Sequence, residues 1–348
     1  MVIRMKKQFL EIDRFLAVLA VVMIHISMTV PNNGQIEEIG RFNYACYSVM
    51  YTFSRWAVPL FIVISGSLLL NPEKNIDNKK IVKYVIRMLL VLASFGFVYS
   101  LMEQVAINGI YSIEESAIKA ILNTLQDKSW DHMWYVYLMI GLYLITPFVR
   151  AAVRNIDSRS LLEFIIILFT VNYLFRFLSI VTSVRISTFY VVPNEYFMFY
   201  ILGFYLSLSD NYFERRKRIM YLLAGGGLIF SCLLDCYSIM CYGRYVLWLR
   251  NANFVNTFIA ISLYIFVKDR FSQTIKLPRA VQSICECSFG IYLIHPFWIN
   301  IIYKLLHVTP ATFGNVISGM AILWCCVFAL SWGSVLILKK VPYINKIV

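Results

Sequence analysis

Some ten apolar runs, most about 20 residues long, follow one another through this chain and leave it few folds to adopt. They cover roughly 9–30, 44–70, 81–102, 132–150, 161–181, 194–209, 218–239, 251–267, 286–305 and 312–338, the sixth and eighth being short. About 20 apolar residues in a helix cross the hydrocarbon of a bilayer. Lipid offers the backbone no hydrogen-bond partners, so only helices or closed barrels span it. The period-two alternation of barrel strands is absent here. With 60% hydrophobic and only 15% charged residues, a soluble core-and-surface arrangement is excluded. The sequence therefore predicts an all-α, polytopic integral membrane bundle of about ten helices, with residues 1–348 as a single transmembrane domain.

A net charge of +13 invites a nucleic-acid reading, but its distribution argues against one. With a cytoplasmic amino terminus, the inner segments collect Lys74, Lys79, Lys80 and Lys83; Arg150, Arg154 and Arg159; Arg215, Arg216, Lys217 and Arg218; Lys268, Arg270, Lys276 and Arg279; and Lys339 and Lys340. The outer loops keep Arg41, Lys119, Lys128, Arg185, Arg244 and Arg250. This is the positive-inside pattern, with both termini in the cytoplasm and membrane lipid, not nucleic acid, as the surrounding partner. A multi-pass protein of the bacterial cytoplasmic membrane is the expectation.

Basic residues precede the first run as in a signal peptide. Asp13, Arg14 and His25 interrupt that run and no small-residue cleavage site follows, so a retained first helix is expected. The longest polar interval, 103–131, contains IEESAIKAILNTL, whose periodicity predicts a helix over 113–125. The eight cysteines lack metal-ligand spacing; Cys236 and Cys241 are near enough in sequence to pair. Gly225, Gly226 and Gly227 lack the Lys-Ser/Thr of a phosphate loop and predict close helix packing.

Polar groups inside the apolar runs carry the functional information. Arg14 and His25 are eleven residues apart, three helical turns, so they share one face about 16 Å apart along the axis. Charge facing lipid is expensive, so such groups face protein or a wet cavity. Counting from the inner surface puts Arg55 and Arg176 about as deep as His25, and His295 lower, on a face with Ser288 and Tyr292. Arg87 lies low, near the level of Arg14, while His132 and Glu195 mark outer helix ends. Convergence on one central cavity is the simplest arrangement.

Structural roles remain open for each. His25 fits a buried hydrogen bond as well as a base. Arg55 and Arg176 fit helix braces or snorkelling side chains. His295 precedes Pro296, which frees a backbone carbonyl and invites a local hydrogen bond. His132, between Trp130 and Trp134, fits an interfacial aromatic belt. No group of His, Asp and Glu shows ligand spacing, so no metal is expected.

The segment DRFLAVLAVVMIH resembles the first-helix signature of the membrane acyltransferase 3 family, an Arg followed after ten residues by a His. SRWAVPLFIVISGSLL, with Ser65 and Gly66, HMWYVYLMIGLYLITP, and SFGIYLIHP, with Ser288, Tyr292 and His295, resemble further family segments in the same order. ILGFYLS around Gly203 is a weaker likeness. Within the family the chain looks most like the O-acetyltransferase branch that includes the enzyme acting on enterobacterial common antigen.

The resemblance implies transfer of an acyl group, usually acetyl, from cytoplasmic acyl-CoA to a hydroxyl of an extracytoplasmic glycan or lipid-linked glycan. It implies acetyl-CoA as co-substrate and no permanently bound cofactor. His25, Arg14 and Arg55 are then the catalytic candidates. Arg14, Lys83, Arg87, Ser65 and Gly66 are candidates for acyl-CoA, and His132, Trp134, Arg176, Glu195 and His295 for the acceptor. The family's paired arginines at helix three are replaced by Lys80, Lys83 and Arg87. The competing class is an exporter of a glycan or its lipid-linked precursor, since buried Arg and His also line transport paths. Neither an inverted repeat nor paired broken helices support it.

Overall fold

The computed structural model describes residues 2–74, 76–109, 112–182, 184, 194–209, 211–245, 254–271 and 277–348. Arg185, Arg250 and Lys276 lie outside the described residues, as do 251–253 of the eighth predicted span. The described residues are helical, with no strand among them. The principal helices are α1 Val2–Asn33, α2 Arg41–Ser54, α3 Ala57–Leu69, α4 Asn78–Val91, α5 Phe97–Asn108, α6 Ile113–Leu125 and α7 Trp134–Asn155. They continue as α8 Ser158–Thr182, α9 Glu195–Ser207, α10 Lys217–Tyr242, α11 Val255–Phe271, α12 Arg279–Asn300 and α13 Val316–Leu338. Among the described residues, seven segments are long and apolar enough to cross a membrane. The remaining three predicted spans coincide with α1, α9 and α11, of which α9 has 13 residues and α11 has 17.

The second predicted span is not one helix. The chain turns at Arg55 and Trp56 between α2 and α3. Pro59 explains the break, because it has no N–H for the Arg55 carbonyl and its ring crowds that oxygen. The predicted 113–125 helix forms as α6 and packs on α5. Polar side chains set several helix starts. Asp77 accepts from the Lys80 N–H at 2.9 Å, and Asn194 accepts from the Phe197 N–H at 3.2 Å.

The chain forms two compact units. The first holds 1–71 and 156–333, hence α1 to α3, α8 to α12 and most of α13. At its centre α1 packs against α2, α3, α11 and α12. The closest crossing joins α3 to α9. A Cβ on Gly66 would lie 1.8 Å from the Tyr200 carbonyl oxygen, and one on Gly203 would lie 2.0 Å from that of Val63. Only glycine allows the two backbones so near. The second unit holds 72–155 and 334–348, with α4 against α7 and α5 against α6.

One expectation needs correction. Of the three consecutive glycines, only Gly227 packs closely, its Cβ position meeting Val255 at 3.0 Å. Gly225 and Gly226 have nothing within 4 Å, because they occupy the outward face of α10. Cys236 and Cys241 are both free thiols.

Candidate functional site

Arg14 and His25 lie on the uninterrupted α1. Its neighbours on four sides are protein helices, which is where an ionisable pair can be held. Arg14 is half-buried near the start of α12, its charge reaching Cys285, whose thiol donates to the Glu11 carbonyl at 3.0 Å.

His25 meets His295. Their ring centroids are 4.8 Å apart and the planes inclined at 55°. His295 is fully buried in α12, and its Nδ1 lies 3.1 Å from the Ile291 carbonyl oxygen. A carbonyl only accepts, so Nδ1 carries the hydrogen and, in the neutral ring, Nε2 carries the lone pair. Nε2 is itself buried. The local hydrogen bond forms to the Ile291 carbonyl rather than to the Tyr292 carbonyl that Pro296 frees, and it fixes the tautomer of a ring that touches His25. Tyr292, one turn back on the same helix, has its ring centroid 6.1 Å from that of His295.

A second polar patch forms around Arg176. Its Nη1 donates to both carboxylate oxygens of Glu195, at 2.9 and 2.8 Å. Arg55, at the α2–α3 break, sits 5.2 Å from the Tyr51 ring centroid. Tyr173 and Tyr196 both lie in the field of Arg55, Arg176 and Glu195, which joins the three charges into one patch. Arg176 is less than two turns from the end of α8, as the predicted span 161–181 also has it. The expectation of one central cavity thus resolves, within the first unit, into a His25–His295 pair and an arginine–glutamate patch.

Ser65 donates to the Phe61 carbonyl at 2.9 Å, and the α3–α9 crossing accounts for Gly66 without a ligand. The other candidates belong to the second unit. Lys83 is exposed. Arg87 directs Nε and Nη2 at the Ile347 carbonyl, at 3.2 and 3.1 Å. His132 lies at the start of α7, the helix end where it was expected, and it is 3% exposed. The 3₁₀ turn Asp131–Met133 carries it inward beside Trp130, which stacks on Tyr99 at 4.2 Å. Trp134 packs edge-on against Tyr135 at 6.1 Å.

Three residues of the first unit were not among the site candidates. Tyr173 is one turn before Arg176, a spacing that puts both on one face, and its hydroxyl lies 3.1 Å from that of Thr257. Asp13 is fully buried, and neither carboxylate oxygen has a hydrogen-bond partner among the described residues. Asp235 is buried two turns before the end of the apolar α10. An ionisable residue inside an apolar span is a functional candidate by default, and that signal was available for both carboxylates.

These helices and this buried polar chemistry define a multi-pass membrane protein with an imidazole pair at its core. The family described as "Acyltransferase domain", acyltransferase 3, matches residues 8–338, and the chain belongs to it. No curated protein and no solved structure matches the chain.

Proposed function

We propose that this membrane acyltransferase moves an acyl group, acetyl in the simplest case, from cytoplasmic acyl-CoA to a hydroxyl of an extracytoplasmic surface glycan. The observation that carries the reading is the His25–His295 contact on the helix that also bears Arg14. In the reaction the acceptor oxygen attacks the thioester carbonyl, and a ring nitrogen of His25 takes its proton. The carbon–sulfur bond breaks, and the CoA thiolate leaves with the proton returned by the imidazolium. Ester and free CoA are the products.

The tautomer of His295 supports this assignment. The rings are in contact rather than hydrogen-bonded at Nε2; in the reaction that lone pair would take up the N–H of His25, leaving the opposite nitrogen of His25 as the base. Arg14, three turns away, supplies a fixed positive charge for the phosphates of the donor. Arg55, over the Tyr51 ring at the α2–α3 break, is the guanidinium assigned to the developing oxyanion. Family membership favours acyl transfer over the exporter.

Membranes supplied with radiolabelled acetyl-CoA test the base. His25→Ala at normal protein level should lower acceptor acetylation by about 100-fold or more. A normal rate would reject the assignment.

A further inference from the structure

The packed pair α2 and α10 carries four thiols that no step of acyl transfer employs: Cys46 on the first helix, and Cys232, Cys236 and Cys241 on the second. All four are free in this structure. The two helices run antiparallel. Arg41, the first residue of α2, donates from Nη1 to the Met240 carbonyl near the end of α10, at 3.0 Å. Deeper along the seam, the Ser48 hydroxyl and, at 3.3 Å, the Thr52 hydroxyl donate to Asp235. The Cys232 sulfur lies 4.0 Å from the Val49 carbonyl oxygen.

That register brings two of the thiols together. One turn back from Val49 on α2 are Ala45 and Cys46, and one turn on from Cys232 on α10 is Cys236. Cys236 accordingly packs against the buried cluster of Tyr44, Ala45 and Ile239. Cys46 lies in the electrostatic field of Cys236. Both are half-buried and at matching depth. Cys46 is five residues from its end of α2 and Cys236 six from the same end of α10, a rise of about 8–9 Å in each.

Pairings within α10 do not suit an intact helix. Side chains four apart on a helix have Cβ atoms about 5–6 Å apart, whereas a disulfide needs about 3.5–4.5 Å. Five apart, as for Cys236 and Cys241, they are farther still and turned away from each other.

We infer that Cys46 and Cys236 are a modification site, joined by a disulfide that fastens α2 to α10. This goes beyond the acyl-transfer reading and does not depend on it. The two thiols give up two electrons and two protons, and the disulfide of a thiol oxidant takes them and leaves as a dithiol. One sulfur attacks that disulfide as thiolate, and the second displaces the resulting mixed disulfide. The positive-inside pattern puts this end of both helices outside, the side on which disulfides persist. The link closes a loop of about 190 residues and pins the helix that ends at Arg55.

Cells making the full chain, alkylated with N-ethylmaleimide before lysis, provide the test. The purified protein is digested without reduction and read by mass spectrometry. One peptide pair should join Cys46 to Cys236, be split by dithiothreitol, and be missing from Cys46→Ser and Cys236→Ser. Cys241→Ser should leave the pair at the wild-type level. In lipid nanodiscs, dithiothreitol should lower the thermal midpoint of the unmodified protein by roughly 4 °C and leave that of Cys46→Ser in place. Cys46 and Cys236 both recovered alkylated, or Cys236 joined to Cys232 or Cys241 instead, overturns the inference. An equal shift with dithiothreitol in both proteins overturns the fastening of α2 to α10.

Discussion

Over an apolar 18-residue stretch of each, the span Arg279–Leu305 is 67% buried inside the protein and Arg41–Leu69 61%, whereas Ser158–Thr182 and Lys217–Tyr242 are each 22% buried. The two enclosed spans are also the least apolar of the seven. This is what a bilayer solvent demands. A helix wrapped by protein can carry Ser, Tyr, His and Arg because partners are at hand, while a helix facing lipid must be greasy almost all round. The enclosed spans accordingly bear His295, Tyr292, Arg55, Ser48 and Thr52. The lipid-facing ones bear long apolar faces, such as Leu222, Ile229 and Leu233 of α10, with only an inward edge that holds Asp235.

Glycines give the sharpest way to break the contrast. Gly66→Ala in the enclosed α3 places a methyl against the Tyr200 carbonyl, where no rotamer change helps. The expected cost is about 3 kcal/mol or more, read as loss of folded protein by size exclusion and thermal unfolding. Gly225→Ala in the lipid-facing α10 meets nothing within 4 Å and should be neutral, or stabilising by roughly 0.5–1 kcal/mol from helix propensity. Equal damage at both positions would mean that enclosure does not divide the helices as described.

Within the enclosed set, His295→Gln should lower transfer between about tenfold and 100-fold, with acetyl-CoA affinity retained, because it disturbs the orientation of His25 rather than removing it. Parallel loss of donor affinity would assign His295 to donor binding instead.

Such a division was partly legible in the sequence. The apolar runs gave the helices, since a 20-residue apolar stretch has few alternatives in lipid. The Arg14–His25 spacing survived because it depends only on α1 staying helical. What the sequence does not show is contact between elements. The ion pair of Arg176 needs Glu195, which lies on another helix. The burial of His132 follows from a 3₁₀ turn that rotates its ring inward and leaves no mark in composition. The seam of Ser48 with Asp235 needs two helices brought together by packing, and a depth map along single helices cannot show that.

The Arg176–Glu195 pair tests an intermediate case, since α8 faces lipid over most of its length. The arginine side chain is 36% and the glutamate 15% exposed, and the pair lies within two turns of the end of α8, where water reaches a spanning helix and screens it. Glu195→Gln should cost about 1 kcal/mol, and the added Arg176→Met change should recover part of it. A cost several times larger would show the pair to be sealed from solvent, with α8 enclosed at that end.

The smallest effect is expected where no packing is involved, at the exposed start of α8. Asp157 accepts from the Ser160 hydroxyl at 2.6 Å and from the N–H groups of Ser160 and Arg159 at 3.0 and 2.9 Å. These bonds, that from the Ser160 hydroxyl foremost, favour the ionised carboxylate and hold its pKa below the ordinary value. The sign follows from linkage. A carboxyl depressed in the folded state contributes stability above its unfolded pKa, about 3.9, and loses that contribution as pH falls through the folded value. The thermal midpoint of the protein minus that of Asp157→Asn should therefore be slightly positive at pH 6 and shrink towards zero near pH 3. Other carboxyl groups cancel in the difference. A difference independent of pH would show that Asp157 acts here through shape alone, and that the exposed ends of lipid-facing helices carry no electrostatic share of their stability.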